Sequence, residues 1–114
     1  MSERGEREFL QDILEAGQRI RMYTKGMTYD AFRQDYKTQD AVIRNLEVIG
    51  EAAKNISTEF RSKHPALPWK GMTGMRDRLI HHYFGVNLDI VWDVIQVEMP
   101  GVIEQVEGIL EQLR

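Results

Sequence analysis

The 114-residue chain contains no cysteine. That absence removes disulfide crosslinks, thiolate metal sites and a thiol nucleophile together. Only three prolines occur, and there is no linker, low-complexity stretch or internal repeat. No apolar run is long enough for a signal peptide or a membrane span. The start, Met1-Ser2-Glu3-Arg4-Gly5-Glu6-Arg7, carries charges of both signs. The expectation is a cytoplasmic protein without membrane association. With 42% of its residues hydrophobic, a chain of this length buries a core unaided, so residues 1–114 read as a single domain.

Positive charge is also in short supply. The net charge of −3 argues against a protein that coats nucleic acid. Its distribution is uneven, however. Between residues 61 and 82 five basic residues (Arg61, Lys63, Lys70, Arg76 and Arg78) face the single acid Asp77, and the three histidines, His64, His81 and His82, fall there too. From residue 83 onward one arginine faces six acids. An anionic ligand is expected to go to the basic island first.

Strand-type alternation is lacking as well, and the hydrophobic spacing is helical nearly throughout, which predicts an all-α fold of four or five helices. A first helix is predicted over residues 7–23, with Leu10, Ile13, Gly17 and Ile20 on one stripe and a stop near Gly26. A short helix over 28–36 follows, capped by Thr28. Thr38 is the expected cap of a second long helix, in which Val42, Leu46, Ile49, Ala53, Ile56 and Phe60 recur at steps of four and three. The segment His64-Pro65-Ala66-Leu67-Pro68 ends it. Pro68 suits the first turn of the next helix, which carries Met72, Met75, Leu79 and Tyr83 and stops at Gly85. Asn87 can cap the last helix, whose seam runs from Leu88 through Trp92, Ile95, Met99, Val102, Val106 and Ile109 to Leu113, with a kink or break at Pro100. So long a seam serves either an intramolecular bundle or a dimer interface.

The residues with chemistry to offer lie in Arg76-Asp77-Arg78-Leu79-Ile80-His81-His82-Tyr83. At ~100° per residue, Arg76, Leu79 and Tyr83 share one side of a helix, whereas His81 lies ~140° from Arg76. Three routes bring the guanidinium and the imidazole together: the helix end unwinds near Gly85, the arginine reaches round, or two copies meet across a dimer axis. Asp77, one turn before His81, is placed to orient that imidazole or raise its pKa. Each residue also has an ordinary reading. A helical arginine is usually solvated or paired with a carboxylate, adjacent histidines near a helix end complement its dipole, and a tyrosine on an apolar stripe is usually core.

The same segment resembles the Arg, four residues, His, one residue, Tyr motif of the HepT-like (DUF86) branch of the HEPN superfamily. Arg44-Asn45-Leu46-Glu47-Val48-Ile49-Gly50-Glu51-Ala52-Ala53 is similar to that family's signature in the helix upstream. Pro68-Trp69-Lys70-Gly71-Met72 and the run from Tyr83 to Trp92 resemble its flanks. The resemblance implies a HEPN-type antiparallel helical bundle that dimerises and cuts RNA, whether mRNA or tRNA, without a metal or other cofactor. It further implies a toxin silenced by a cognate minimal nucleotidyltransferase antitoxin that adds AMP to the motif tyrosine. By position these roles fall on Arg76, His81 and Tyr83.

The chemistry fits those residue types. Metal-free RNA cleavage needs a proton shuttle near neutral pH while the 2′-hydroxyl attacks its own phosphate, which suits His81. Charge then collects on the non-bridging oxygens, where the permanently charged fork of Arg76 stabilises it. The expected products are a 2′,3′-cyclic phosphate and a 5′-hydroxyl. A nucleotide on Tyr83 would bring phosphate charge and bulk into the same cleft. In supporting roles, His82 shares the proton work and Arg78 binds RNA backbone. Lys70 and Lys63 attract phosphate, and Arg44 and Glu51, seven apart on one helix face, either pair or line the cleft. Trp69 either stacks a base or packs in the core. The rival reading is a non-catalytic helical partner, or substrate-binding subunit, of a nucleotidyltransferase.

Overall fold

The structure, a computed structural model, describes residues 5–79 and 85–113. His81, His82 and Tyr83 lie outside the described residues, as do the expected positions of their side chains in a site. The elements are α1 (Glu6–Thr24), α2 (Tyr29–Gln34), α3 (Tyr36–Asn55), α4 (Thr58–Ser62), α5 (Trp69–Thr73), α6 (Met75–Leu79), α7 (Leu88–Asp93), a π-turn (Val94–Glu98) and α8 (Met99–Gln112). The fold is all-α, with no strand among the described residues.

The seams read from the sequence form the core. Leu10, Ile13 and Ile20 of α1 and Val42, Leu46, Ile49 and Ala53 of α3 are at most 1% exposed. Each such Leu or Ile contributes roughly 1.5–3 kcal/mol by leaving water. α1 packs along α3 and against α8. It can approach α8 closely because residue 17 is glycine, where a Cβ would stand 2.8 Å from Ile103 Cγ1.

Helix ends follow local chemistry, and here several expectations are corrected. Thr28 does cap α2, accepting from Ala31 N–H at 3.1 Å. Thr38 does not cap α3. The cap is Asp35, whose carboxylate accepts from Thr38 N–H at 3.0 Å and Thr38 Oγ1 at 2.7 Å. An aspartate there outcompetes a threonine because it takes both donors with a full charge at the positive end of the helix. The long helix also stops earlier than its spacing suggests. Ile56 is extended, Ser57 caps the separate α4 by accepting from Phe60 N–H at 3.1 Å, and Ser57 itself donates to Glu6 from N–H and Oγ.

The expected helix from Pro68 to Gly85 is broken too. Pro68 is the N-cap of α5 rather than its first helical residue, and Gly74 separates α5 from α6. The last helix starts at the predicted cap, Asn87, whose side chain accepts from Ile90 N–H at 3.2 Å. The regular α-helix is interrupted ahead of Pro100 but does not end there. The helix instead widens over the π-turn, where Met99 N–H donates five residues back to Val94 O. Proline has no N–H, and its ring would press on the carbonyl four residues earlier, so a wider turn just before it relieves the clash.

An aromatic cluster ties α2 to α7. Trp92 stands 5.2 Å from Phe32 and 5.8 Å from Tyr29 between ring centroids, and the Tyr29 hydroxyl donates to the Asp89 carboxylate. That bond holds the Tyr29 hydroxyl above its ordinary pKa. The start of α7, immediately after the motif, is thereby fixed to the body of the bundle.

Candidate functional site

The segment that carries Arg76 is seated by two small features. Gly50 of α3 lets the backbones of α3 and α5 come together, since a Cβ there would stand 3.0 Å from Met72 O and 3.3 Å from Met75 Cβ. Met75 and Leu79 then anchor α6 in the core at 2% and 1% exposure. Beyond α6, Asn87 N–H donates to Leu79 O at 2.9 Å, so the described chain closes on itself either side of residues 80–84.

Seated this way, Arg76 lines a concavity of about 470 Å³ together with Arg44, Glu47 and Glu51 of α3 and Phe9 and Asp12 of α1. The structure thus brings together three of the residues singled out from sequence: Arg76, Arg44 and Glu51. None of these three has an ion pair among the described residues. Exposed guanidiniums without a carboxylate partner are available to an incoming anion. Three cations (Arg44, Lys54, Arg76) and three acids (Asp12, Glu47, Glu51) line the groove, so its charge is balanced rather than uniformly positive.

The basic island is correspondingly dispersed. Arg61 donates to Ile56 O at 3.0 Å and Lys54 O at 3.2 Å, satisfying carbonyls at the end of α3. Lys63 stands 3.5 Å from Glu59 on an exposed turn. Arg78 makes a two-pronged contact with Glu98, at 3.1 Å from Nη1 and 2.6 Å from Nη2, which raises its pKa further. Lys70 and Asp77 are exposed and do not line the groove. His64 stacks against Phe60 at 4.6 Å between centroids. Trp69 is buried, with its indole N–H on His64 O at 2.8 Å, and so packs in the core rather than presenting a face for a base.

Sequence reasoning passed over Glu47, Lys54, Asp12 and Phe9 in the groove, and Glu98 as the partner of Arg78. The first two were within reach. Arg44, Glu47, Glu51 and Lys54 recur at steps of three and four, a polar stripe beside the buried seam of α3. Asp12, Phe9 and Glu98 lie far off in the chain and required the packing of α1 and the π-turn. Among the described residues, no three His, Asp or Glu side chains are grouped to hold a metal ion, and no helix is long and apolar enough to cross a membrane.

A helical bundle whose groove is lined by Arg44 and Arg76, in a chain whose sequence reads Arg-x4-His-x-Tyr from residue 76, points to a class, and the comparisons agree on it. The family model described as "Ribonuclease HepT-like" matches residues 13–109, and the chain belongs to that family. "Putative RNase MJ0127" of Methanocaldococcus jannaschii is 50% identical over 113 residues, 99% of this chain and 93% of that one. "Probable ribonuclease HepT" of Thermococcus cleftensis is 43% identical over 111 residues, 97% of each chain. "Putative RNase TTE0752" of Caldanaerobacter subterraneus is 44% identical over 106 residues, 93% of this chain and 95% of that one. No solved structure matches.

Proposed function

We propose that this protein is a metal-independent endoribonuclease, the toxin of a toxin-antitoxin pair, acting as a homodimer. The observation that carries the reading is Arg76, held by α6 at the rim of a groove it shares with a second unpaired guanidinium, Arg44. Two such forks at one concavity suit the phosphates of an RNA strand, and family membership supplies the substrate class. In this scheme His81 takes the proton of the attacking 2′-hydroxyl and returns one to the leaving 5′-oxygen. The P–O5′ bond breaks as the O2′–P bond forms, and Arg76 stabilises the extra charge on phosphorus oxygens. The carboxylates of Glu47 and Glu51 set a cost on loosely held backbone, which favours RNA that reaches both arginines. AMP transferred from ATP to the Tyr83 hydroxyl by a partner nucleotidyltransferase, with pyrophosphate leaving, adds negative charge two residues from His81 and so opposes RNA binding.

Purified protein is expected to cleave RNA in excess EDTA, leaving 2′,3′-cyclic phosphate and 5′-hydroxyl ends, and Arg76→Ala and His81→Ala are each expected to abolish cleavage while remaining folded. Undiminished cleavage by the double variant refutes the assignment. The balanced charge of the groove favours a second reading, a non-catalytic partner of a nucleotidyltransferase, which predicts a tight complex and no RNA turnover on the same sample.

A further inference from the structure

α6 is only five residues long. So short a helix has little stability of its own, and its orientation is set by what holds it. Met75 and Leu79 bury one side. Arg76 and Arg78 are ~200° apart around the axis, so the residue that faces the groove and the one that faces Glu98 lie on nearly opposite sides. The Arg78 fork crosses the backbone of α5 at Gly71, where a Cβ would stand 3.2 Å from Nη1, before reaching both carboxylate oxygens of Glu98 at 3.1 and 2.6 Å. Glu98 is the last residue of the π-turn that precedes Pro100.

We infer that the Arg78–Glu98 pair is a positioning clamp that fixes the rotation of α6 and thereby holds Arg76 toward the groove, so that Arg78 serves the site from behind rather than binding RNA. The inference rests on the ribonuclease reading for its consequence, though not for its geometry. A 20° roll of α6 would carry a guanidinium ~8 Å from the helix axis through ~3 Å, and a displacement of that size at a charge-stabilising group lowers turnover more than binding. The fork opposes such a roll because both of its prongs are engaged, and it can lie across α5 to reach Glu98 because residue 71 has no Cβ to stand in its way.

The test uses the full chain with Glu98→Gln, Arg78→Gln and the exchanged pair Arg78→Glu with Glu98→Arg, read by amide hydrogen exchange and by RNA cleavage in EDTA. Glu98→Gln is expected to speed exchange over residues 75–79 while α1 and α3 keep their protection, and to lower kcat about tenfold with KM held within about twofold. Arg78→Gln is expected to do the same, and the exchanged pair to recover most of both losses. Should Arg78 instead contact phosphate, Glu98→Gln would free it and lower KM while Arg78→Gln raised KM, and that pattern overturns the inference. If the wild-type chain cuts no RNA, the ribonuclease reading fails by itself. The exchange measurement still decides the clamp, and unchanged protection of residues 75–79 in both single variants refutes it.

Discussion

Replacing Gly50 by alanine tests whether the seating of the arginine-bearing segment depends on backbone contact. The new Cβ would meet Met72 O at 3.0 Å and Met75 Cβ at 3.3 Å. The carbonyl belongs to α5 and cannot swing aside, so α3 and α5 must separate by a few tenths of an ångström. Overpacking of this kind costs about 1–3 kcal/mol, against about 0.5–1 kcal/mol gained when glycine leaves a helix interior. The balance is a net loss of about 1 kcal/mol, or roughly 3–6 °C in Tm for a chain of this size. Gly101 and Gly108 of α8 provide the control, because a Cβ at either meets nothing within 4 Å. There the helix gain stands alone, and alanine should raise Tm by about 2–5 °C. Thermal unfolding followed by circular dichroism separates the two signs, and cleavage by Gly50→Ala should fall more than its small loss of stability explains. A Gly50→Ala protein stabilised as much as Gly108→Ala, with full activity, would show that the close α3–α5 contact does not set the groove.

Two further outcomes are expected. The Asp35 carboxyl is held below the usual carboxylate range, first by Thr38 N–H and then by the Thr38 hydroxyl. Its contribution to stability is complete above the unfolded pKa of about 4 and is lost as pH falls through the lower folded value. Asp35→Asn keeps a capping oxygen without the titration, so urea midpoints measured at descending pH should fall less steeply below about pH 4 than those of the wild type, and equal slopes would contradict this origin of the shift. Incubation with a nucleotidyltransferase and ATP should add mass in whole AMP units to Tyr83 and none to Tyr83→Phe, as read by peptide mass spectrometry. Label on any other residue removes the tyrosine from the regulatory scheme.

The fold was legible in the sequence wherever burial decided the structure. The seam Val42, Leu46, Ile49, Ala53 gave the face of α3 directly, because those positions leave water together. It was less legible where two local solutions compete. Asp35 and Thr38 are both capping residues, and the carboxylate that binds the threonine takes the cap. Pro100 announced a disturbed helix, but only the packed chain shows that a π-turn absorbs it and places Glu98 against Arg78. The site shows the same division. Arg44 and Glu51 shared a helix face on spacing alone, and Arg76 joins them because Gly50 admits α5 and α6. The basic island misled as a continuous surface, since Arg61 turns to backbone carbonyls at the end of α3 and Arg78 is paired with Glu98. Charge counted along a chain takes no account of partners that arrive from other helices.

The central claim is that Arg76, in its groove, acts on the scissile phosphate of RNA. The most direct measurement is the single-turnover rate of RNA cleavage in EDTA for wild type, Arg76→Lys and Arg76→Ala at matched folded fractions. The account predicts a loss of about a hundredfold or more for alanine, with lysine intermediate because it keeps the charge but not the fork. Equal rates for all three chains would contradict it.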